Sequence, residues 1–135
     1  MAKIFSYGKA EKLKSRKLLD QLFSEGKNFS IFPLKIFYLL SAVPLDFPLK
    51  IGVGVSSRNF KKAVQRNRVK RILREAYRTQ KQPLHDYLKA NEKQVAVFLL
   101  YIDKALPATE KIKNIMPAVL EKLIKKLDEA AVANT

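Results

Sequence analysis

The chain has 135 residues, 47% hydrophobic and 29% charged, with 27 Lys and Arg against 12 Asp and Glu, for a formal net charge of +15. That length fits one domain with a modest core, and that charge calls for an anionic partner. The absence of cysteine excludes a disulfide framework, a zinc ribbon and a thiol nucleophile, and fits a reducing cytoplasm. No apolar run approaches the ~20 residues of a membrane span, and the start of the chain lacks the apolar core of a signal peptide.

Residues 1–14 are polar and basic and read as an irregular arm. Ser15 is the expected N-cap of a short helix from Arg16 to Glu25. Leu18, Leu19, Leu22 and Phe23 line one face of it, and Gly26 stands at the C′ position. On spacing alone these apolar residues are core. The period then changes. Leu34 to Val43 is rich in strand-forming residues. Pro44 and Pro48 bracket a turn around Asp46. Leu49 to Ser56 alternates, with Ile51, Val53 and Val55 on one face and Gly52, Gly54 and Ser56 on the other. The two strands read as an antiparallel hairpin. Two roles stay open for the glycines: relief where another backbone comes close, or a shallow floor on one sheet face.

The stretch from Lys61 to Arg78 dominates the chain. Between Arg58 and Lys81 there are ten Lys and Arg against one acid, Glu75. Read as a helix, Val69, Ile72, Leu73, Ala76 and Tyr77 share one face. Asn67, Arg71, Arg74 and Arg78 lie opposite, flanked by Arg68 and Lys70. Solvated helix faces usually mix signs to make i,i+4 pairs. This one has almost no acid to pair with, which is the electrostatic footprint of nucleic-acid binding. An amphipathic helix on a membrane surface would need a broader apolar face carrying Trp or Phe.

Pro83 prevents continuation of that helix, and His85 to Ala90 is expected to make one loose turn. Gln94 to Ile102 is apolar on both faces, as a central strand should be. Strand, helix and strand then form a βαβ unit. A last helix opens near Thr109 with Glu110 in its first turn and an apolar stripe from Ile112 to Leu127. Pro117 should kink or split it, and the tail from Ala131 should fray.

Catalytic tools are missing. His85 is the only histidine, and no metalloprotease, phosphate-loop or nucleophile-elbow motif occurs. Asp20, Asp46, Asp86 and Asp103 are scattered one per element, unlike the converging carboxylates of a two-metal nuclease. These residues describe a protein that binds and does not cut. A helix that reads DNA usually belongs to a helix-turn-helix. A basic helix set between strands favours RNA.

Arg66-Asn67-Arg68, followed by Lys70-Arg71 and Arg74 and preceded by Lys61-Lys62-Ala63-Val64, resembles the RNR signature of the bacterial ribonuclease P protein subunit. The flanking sequence agrees, with a GVGVS strand before it and an LKSRK…LF…GK helix near the N-terminus (Leu13 to Lys17, Leu22, Phe23, Gly26, Lys27). The likeness spans residues 11–128 of a single domain, 1–135. It implies an α+β fold of order αβββαβα, resembling a domain of a small-subunit ribosomal protein. Its βαβ crossover is left-handed, against the usual right-handed rule.

The resemblance also implies a function: a cytoplasmic subunit that binds the catalytic ribonuclease P RNA and the 5′ leader of precursor tRNA, assisting endonucleolytic removal of the leader. Mg²⁺ would be held mainly by the RNA and substrate, and neither DNA nor membrane is an expected partner. Lys61, Lys62, Arg66, Asn67, Arg68, Lys70, Arg71 and Arg74 would meet the RNA subunit. Phe23, Tyr38, Gly52 and Gly54 would form the leader cleft, with Tyr38 projecting onto the glycine floor. Leu19 stands where many relatives carry Phe. A structural RNA-binding protein, such as a ribosomal component, and a DNA-binding regulator are the alternatives.

Overall fold

The computed structural model describes residues 16–40, 49–56 and 58–133, with side chains as far as residue 129. The arm at 1–14, the cap at Ser15 and the turn around Asp46 lie outside the described residues. In chain order the elements are α1 (Arg16–Glu25), β1 (Lys27–Ile31), β2 (Leu34–Leu40), β3 (Leu49–Val55), α2 (Ala63–Gln80), α3 (Gln82–Ala90), β4 (Val95–Tyr101) and α4 (Thr109–Ala133). The architecture is α+β. One sheet, ordered β1-β2-β4-β3, has α2, α3 and α4 on one face and α1 on the other.

The position of β4 follows from its sequence. VAVFLLY is apolar on both faces, so it needs cover on both sides and neighbours at both edges. It pairs antiparallel with β2, from Leu34↔Tyr101 to Leu40↔Val95, and parallel with β3, from Leu49↔Val95 to Val55↔Tyr101. This corrects the expected hairpin. β2 and β3 do run in opposite directions, but Leu40 and Leu49 flank Val95 with β4 between them. Leu40 and Leu49 therefore lie two strand spacings apart, ~10 Å. The parallel β3–β4 pair is the expected βαβ unit. β1, a five-residue edge strand with Phe29 as its one buried residue, carries too little alternation to be read from the sequence.

Alternation sorts the sheet residues into two layers. Leu34, Ile36, Tyr38, Leu49, Ile51, Val95, Val97, Leu99 and Tyr101 enter the main core with Val69, Ile72, Leu73, Ala76 and Tyr77 of α2. Full burial of a Val, Leu or Ile side chain stabilises by ~1.5–3 kcal/mol, so the apolar face of α2 fixes its orientation. Phe37, Leu39, Ala96 and Phe98 point the other way, under Leu18, Leu19 and Leu22 of α1. Gly26 follows α1 and donates its N–H to the Leu22 carbonyl at 2.9 Å. A Cβ there would collide with that oxygen and with the Tyr38 carbonyl, so close approach is what demands glycine.

One expectation about helices is corrected and another is narrowed. The loose turn at His85 is part of α3, a nine-residue helix. Pro83 bars continuation of α2 but suits the first turn of a new helix, and Leu84 and Leu88 give that helix a buried face. Pro117 does not split α4, which runs unbroken to Ala133 and so includes the first residues of the expected frayed tail. Pro117 has no N–H for the carbonyl of Lys113, four residues earlier. Gln80 Nε2, at the end of α2, donates to that carbonyl at 3.0 Å instead.

Candidate nucleic-acid interface

The outer face of α2 is built as its spacing requires. Asn67, Arg68, Arg71 and Arg74 are exposed, and Lys70 is half-buried at the flank. Lys61 and Lys62, just before the helix, are exposed as well. Among the described residues, no side-chain hydrogen bond or ion pair engages Arg68, Lys70, Arg71 or Arg74. Glu75 is taken by Arg78 at 2.8 Å. That hydrogen bond holds the Glu75 carboxyl below its ordinary pKa against an opposing effect of burial, with help from the charges of Arg78, Lys113 and Arg71. The first turn of α2 has no acid and no side-chain cap, so the positive end of the helix dipole adds to the field.

Arg66 has a different role from its neighbours. Its Nη1 donates to the carbonyls of Phe60 at 2.9 Å and Lys61 at 2.7 Å. The guanidinium therefore ties down the loop that carries Lys61 and Lys62. Asn59 Nδ2 fixes the same loop to the Ile102 carbonyl at the end of β4, at 3.3 Å.

The opposite face of the sheet holds an aromatic cluster. Phe23 of α1 is 49% exposed. Its ring meets Phe37 edge-on at 5.0 Å and Phe98 at 5.2 Å. Phe37, Phe98 and Gly52 form one register row across β2, β4 and β3. Lys35 Nζ sits 5.3 Å from the centre of the Phe37 ring, placing a cation beside the aromatic surface. Leu19 is half-buried beside this cluster.

Two expectations for the cleft are corrected here. Tyr38 is on the wrong face for it: 6% exposed, it packs in the main core with its ring 6.0 Å from that of Phe29. Burial, with a smaller contribution from Glu129, pushes its phenol pKa up. Strand period decides this, because Tyr38 shares a row with Val97 and Ile51, one residue out of step with the glycines. Gly54 is not an open floor. A Cβ there would lie 2.5 Å from Phe98 Cζ, so the glycine makes room for that ring.

Sequence reasoning missed Phe37 and Phe98. The available signal was Lys35 in β2 and Lys50 in β3. Each lysine marks the strand face turned away from the main core, and Phe37 and the glycines share those faces.

His85 is structural, with Nε2 3.2 Å from the Tyr77 hydroxyl. Among the described residues, no group of three His, Cys, Asp or Glu side chains is placed to hold a metal ion. No helix among the described residues is long and apolar enough to cross a membrane.

These features define a small basic α+β domain with a cationic helix on one side of its sheet and a partly exposed aromatic cluster on the other. The family profile described as Ribonuclease P matches residues 7–128. The chain belongs to the ribonuclease P protein family, the protein components of the endoribonuclease of tRNA processing. The ribonuclease P protein component of Porphyromonas gingivalis is 31% identical over 130 residues, covering 96% of this chain and 95% of that protein. That of Chlorobium phaeobacteroides is 34% identical over 119 residues, covering 81% and 82%. The fold matches the Staphylococcus aureus RNase P protein at a TM-score of 0.63 and 19% identity, covering 85% of this chain and 96% of that one. A mutant of the S. aureus protein, described as having defective mRNA degradation activity, matches at 0.64, covering 85% and 89%.

Proposed function

We propose that this chain is the protein subunit of a ribonucleoprotein ribonuclease P. Its α2 face binds the catalytic RNA, and the Phe23–Phe37–Phe98 cleft holds the single-stranded 5′ leader of precursor tRNA. The observation that carries this reading is the separation of the two surfaces by the sheet, which lets both ligands bind at once. The cationic helix suits the crowded phosphates of a folded RNA, where each contact releases counterions. The cleft suits unpaired bases, since every base has a π-face to lay on an aromatic ring. Cleavage and its divalent cation are assigned to the RNA and substrate, in the cytoplasm. Duplex DNA and membranes are not partners in this reading.

Reconstitution tests it. The chain should raise cleavage of precursor tRNA by a bacterial ribonuclease P RNA at low Mg²⁺, and the RNA-free chain should cut nothing. A purely structural RNA-binding protein would bind RNA without raising cleavage. Hydrolysis by nuclease-free protein alone would overturn the assignment of the chemistry to RNA.

A further inference from the structure

Among the described residues the exposed large hydrophobic side chains are Phe23, Phe32, Val64 and Leu106. Phe23 belongs to the cleft. The other three come from separate parts of the sequence: the β1–β2 turn, the start of α2 and the β4–α4 connection. The topology gathers all three at one end of the sheet.

Tyr101 is the hub of this end. It lies in one register row with Leu34 and Val55, and Phe32 is two residues before Leu34. Its hydroxyl donates to the Ala105 carbonyl at 2.6 Å, next to Leu106. Its ring is 6.1 Å from that of Phe60, which precedes α2. Two further hydrogen bonds complete the bracing. Ile102 N–H donates to the Pro33 carbonyl at 2.9 Å, and the Ile102 carbonyl accepts from Asn59 Nδ2 at 3.3 Å. The turn bearing Phe32 is thus fixed beside the loop of Arg58, Lys61 and Lys62.

A ring 63% exposed on a braced turn is a platform, and its surroundings select the partner. Arg58, Lys61, Lys62 and Lys104 are exposed on the two connections braced to this turn. Asp103 is the one acid in these connections, and its carboxylate accepts from the N–H groups of Lys104 at 2.7 Å and Ala105 at 3.3 Å. A second copy of the chain would bring this cationic end against like charge. An RNA offers the opposite charge and an unpaired base to lay on the ring.

We propose that Phe32 is a stacking platform for an unpaired nucleobase of the RNA subunit, extending the α2 contact to the β1–β2 turn. Arg58, Lys61 and Lys62 hold the flanking phosphates. This rests on the reading of α2 as the RNA-subunit site.

The test measures affinity for a bacterial ribonuclease P RNA with no tRNA present. Phe32→Ala should weaken it about 5- to 150-fold, the range for loss of one base–aromatic stack, with little change in melting temperature. The chain has no tryptophan, so Phe32→Trp supplies a unique fluorophore. It should keep near-native affinity, and its emission should be quenched on RNA binding by contact with the base. Arg71→Ala is measured in parallel. If Arg71→Ala weakens binding while Phe32→Ala does not, or the Phe32→Trp emission is unchanged by bound RNA, the platform is refuted and the α2 reading stands. If Arg71→Ala also binds normally, the α2 reading falls and the platform with it. A dimer in sedimentation that Phe32→Ala dissolves would assign the patch to a second copy instead.

Discussion

Phe37 and Tyr38 are adjacent in β2 and face opposite sides of the sheet, so alanine substitutions at the two should fail in opposite ways. Tyr38→Ala removes a ring that is 6% exposed and packed beside Phe29. Truncating a buried aromatic costs ~3–5 kcal/mol, a large share of the ~5–15 kcal/mol available to a whole domain. The melting temperature should fall by roughly 10–18 °C. Phe37 is half-buried, so its truncation costs about half as much, including ~0.5–1.5 kcal/mol for the edge contact with Phe23. Its main effect should fall on the leader, where one lost base stack is worth ~1–3 kcal/mol.

The assay compares dissociation constants of the reconstituted holoenzyme for precursor tRNA with a leader and for mature tRNA, alongside thermal melting. Phe37→Ala should weaken the leader-bearing substrate about 5- to 150-fold and leave mature tRNA almost unchanged. Tyr38→Ala should lower the melting point with no selective loss, and Tyr38→Phe should behave nearly as wild type. A selective leader defect in Tyr38→Ala with an intact melting point would refute the register argument. So would equal weakening of both substrates by Phe37→Ala.

We predict that Gly54→Ala, whose new methyl would displace the Phe98 ring, also lowers leader affinity selectively; an unchanged ratio of leader-bearing to mature binding would show that Phe98 does not support the cleft. Arg71→Ala and Arg74→Ala should each reduce the slope of log K against log salt for RNA-subunit binding by ~0.7–0.9 per lost phosphate contact without loss of stability, whereas Ile72→Ala should cost ~2–5 kcal/mol in denaturant melts. Unfolding by Arg74→Ala would mean that the helix faces the other way. Gln80→Ala should cost ~0.5–1.5 kcal/mol by removing the donor to the exposed Lys113 carbonyl, and less in a Pro117→Ala background, where the helix supplies its own N–H; additive costs in the double-mutant cycle would disprove the link. Burial, with Asp103 second, pushes the Tyr101 phenol from near 10 up to about 12. The folded state then holds its proton longer than the unfolded chain, so the stabilisation is complete below pH 10 and is lost as pH rises towards 12. Tyr101→Phe should flatten that alkaline limb of the stability curve, and an unaltered limb would place the titration elsewhere.

How much the sequence revealed depended on contrast between neighbouring faces. The contrast is complete in α2, with arginines on one side and Val69, Ile72, Leu73, Ala76 and Tyr77 on the other, and every residue of that face is buried. In β2, LKIFYLL is almost uniformly apolar, so the sequence shows a strand and leaves Lys35 alone to mark which ring faces which side. The position of β4 between β2 and β3 was hidden for a different reason. Pairing between strands distant in sequence leaves no local trace, and the double-sided apolarity of β4 says that it is central without naming its neighbours. Pro117 belongs with these cases. Its local rule is correct, since the Lys113 carbonyl does lose its helical donor, but the replacement comes from Gln80 on another helix.

Arg66 shows why a signature motif is not the same as a contact list. Its first arginine is engaged with the Phe60 and Lys61 carbonyls, a local bond that holds two cationic side chains at the start of α2. Arg68, Lys70, Arg71 and Arg74 have no such attachment and remain available to phosphate. One short run of sequence therefore specifies both the shape of the surface and the charge displayed on it. The sheet makes the same division on a larger scale. Its main-core face, closed by α2 and α4, supplies stability. Its other face is only part covered by α1 and leaves aromatic surface exposed. Even-numbered residues of β2 build the first face and odd-numbered residues the second, so a shift of one position exchanges a buried side chain for a partly exposed one.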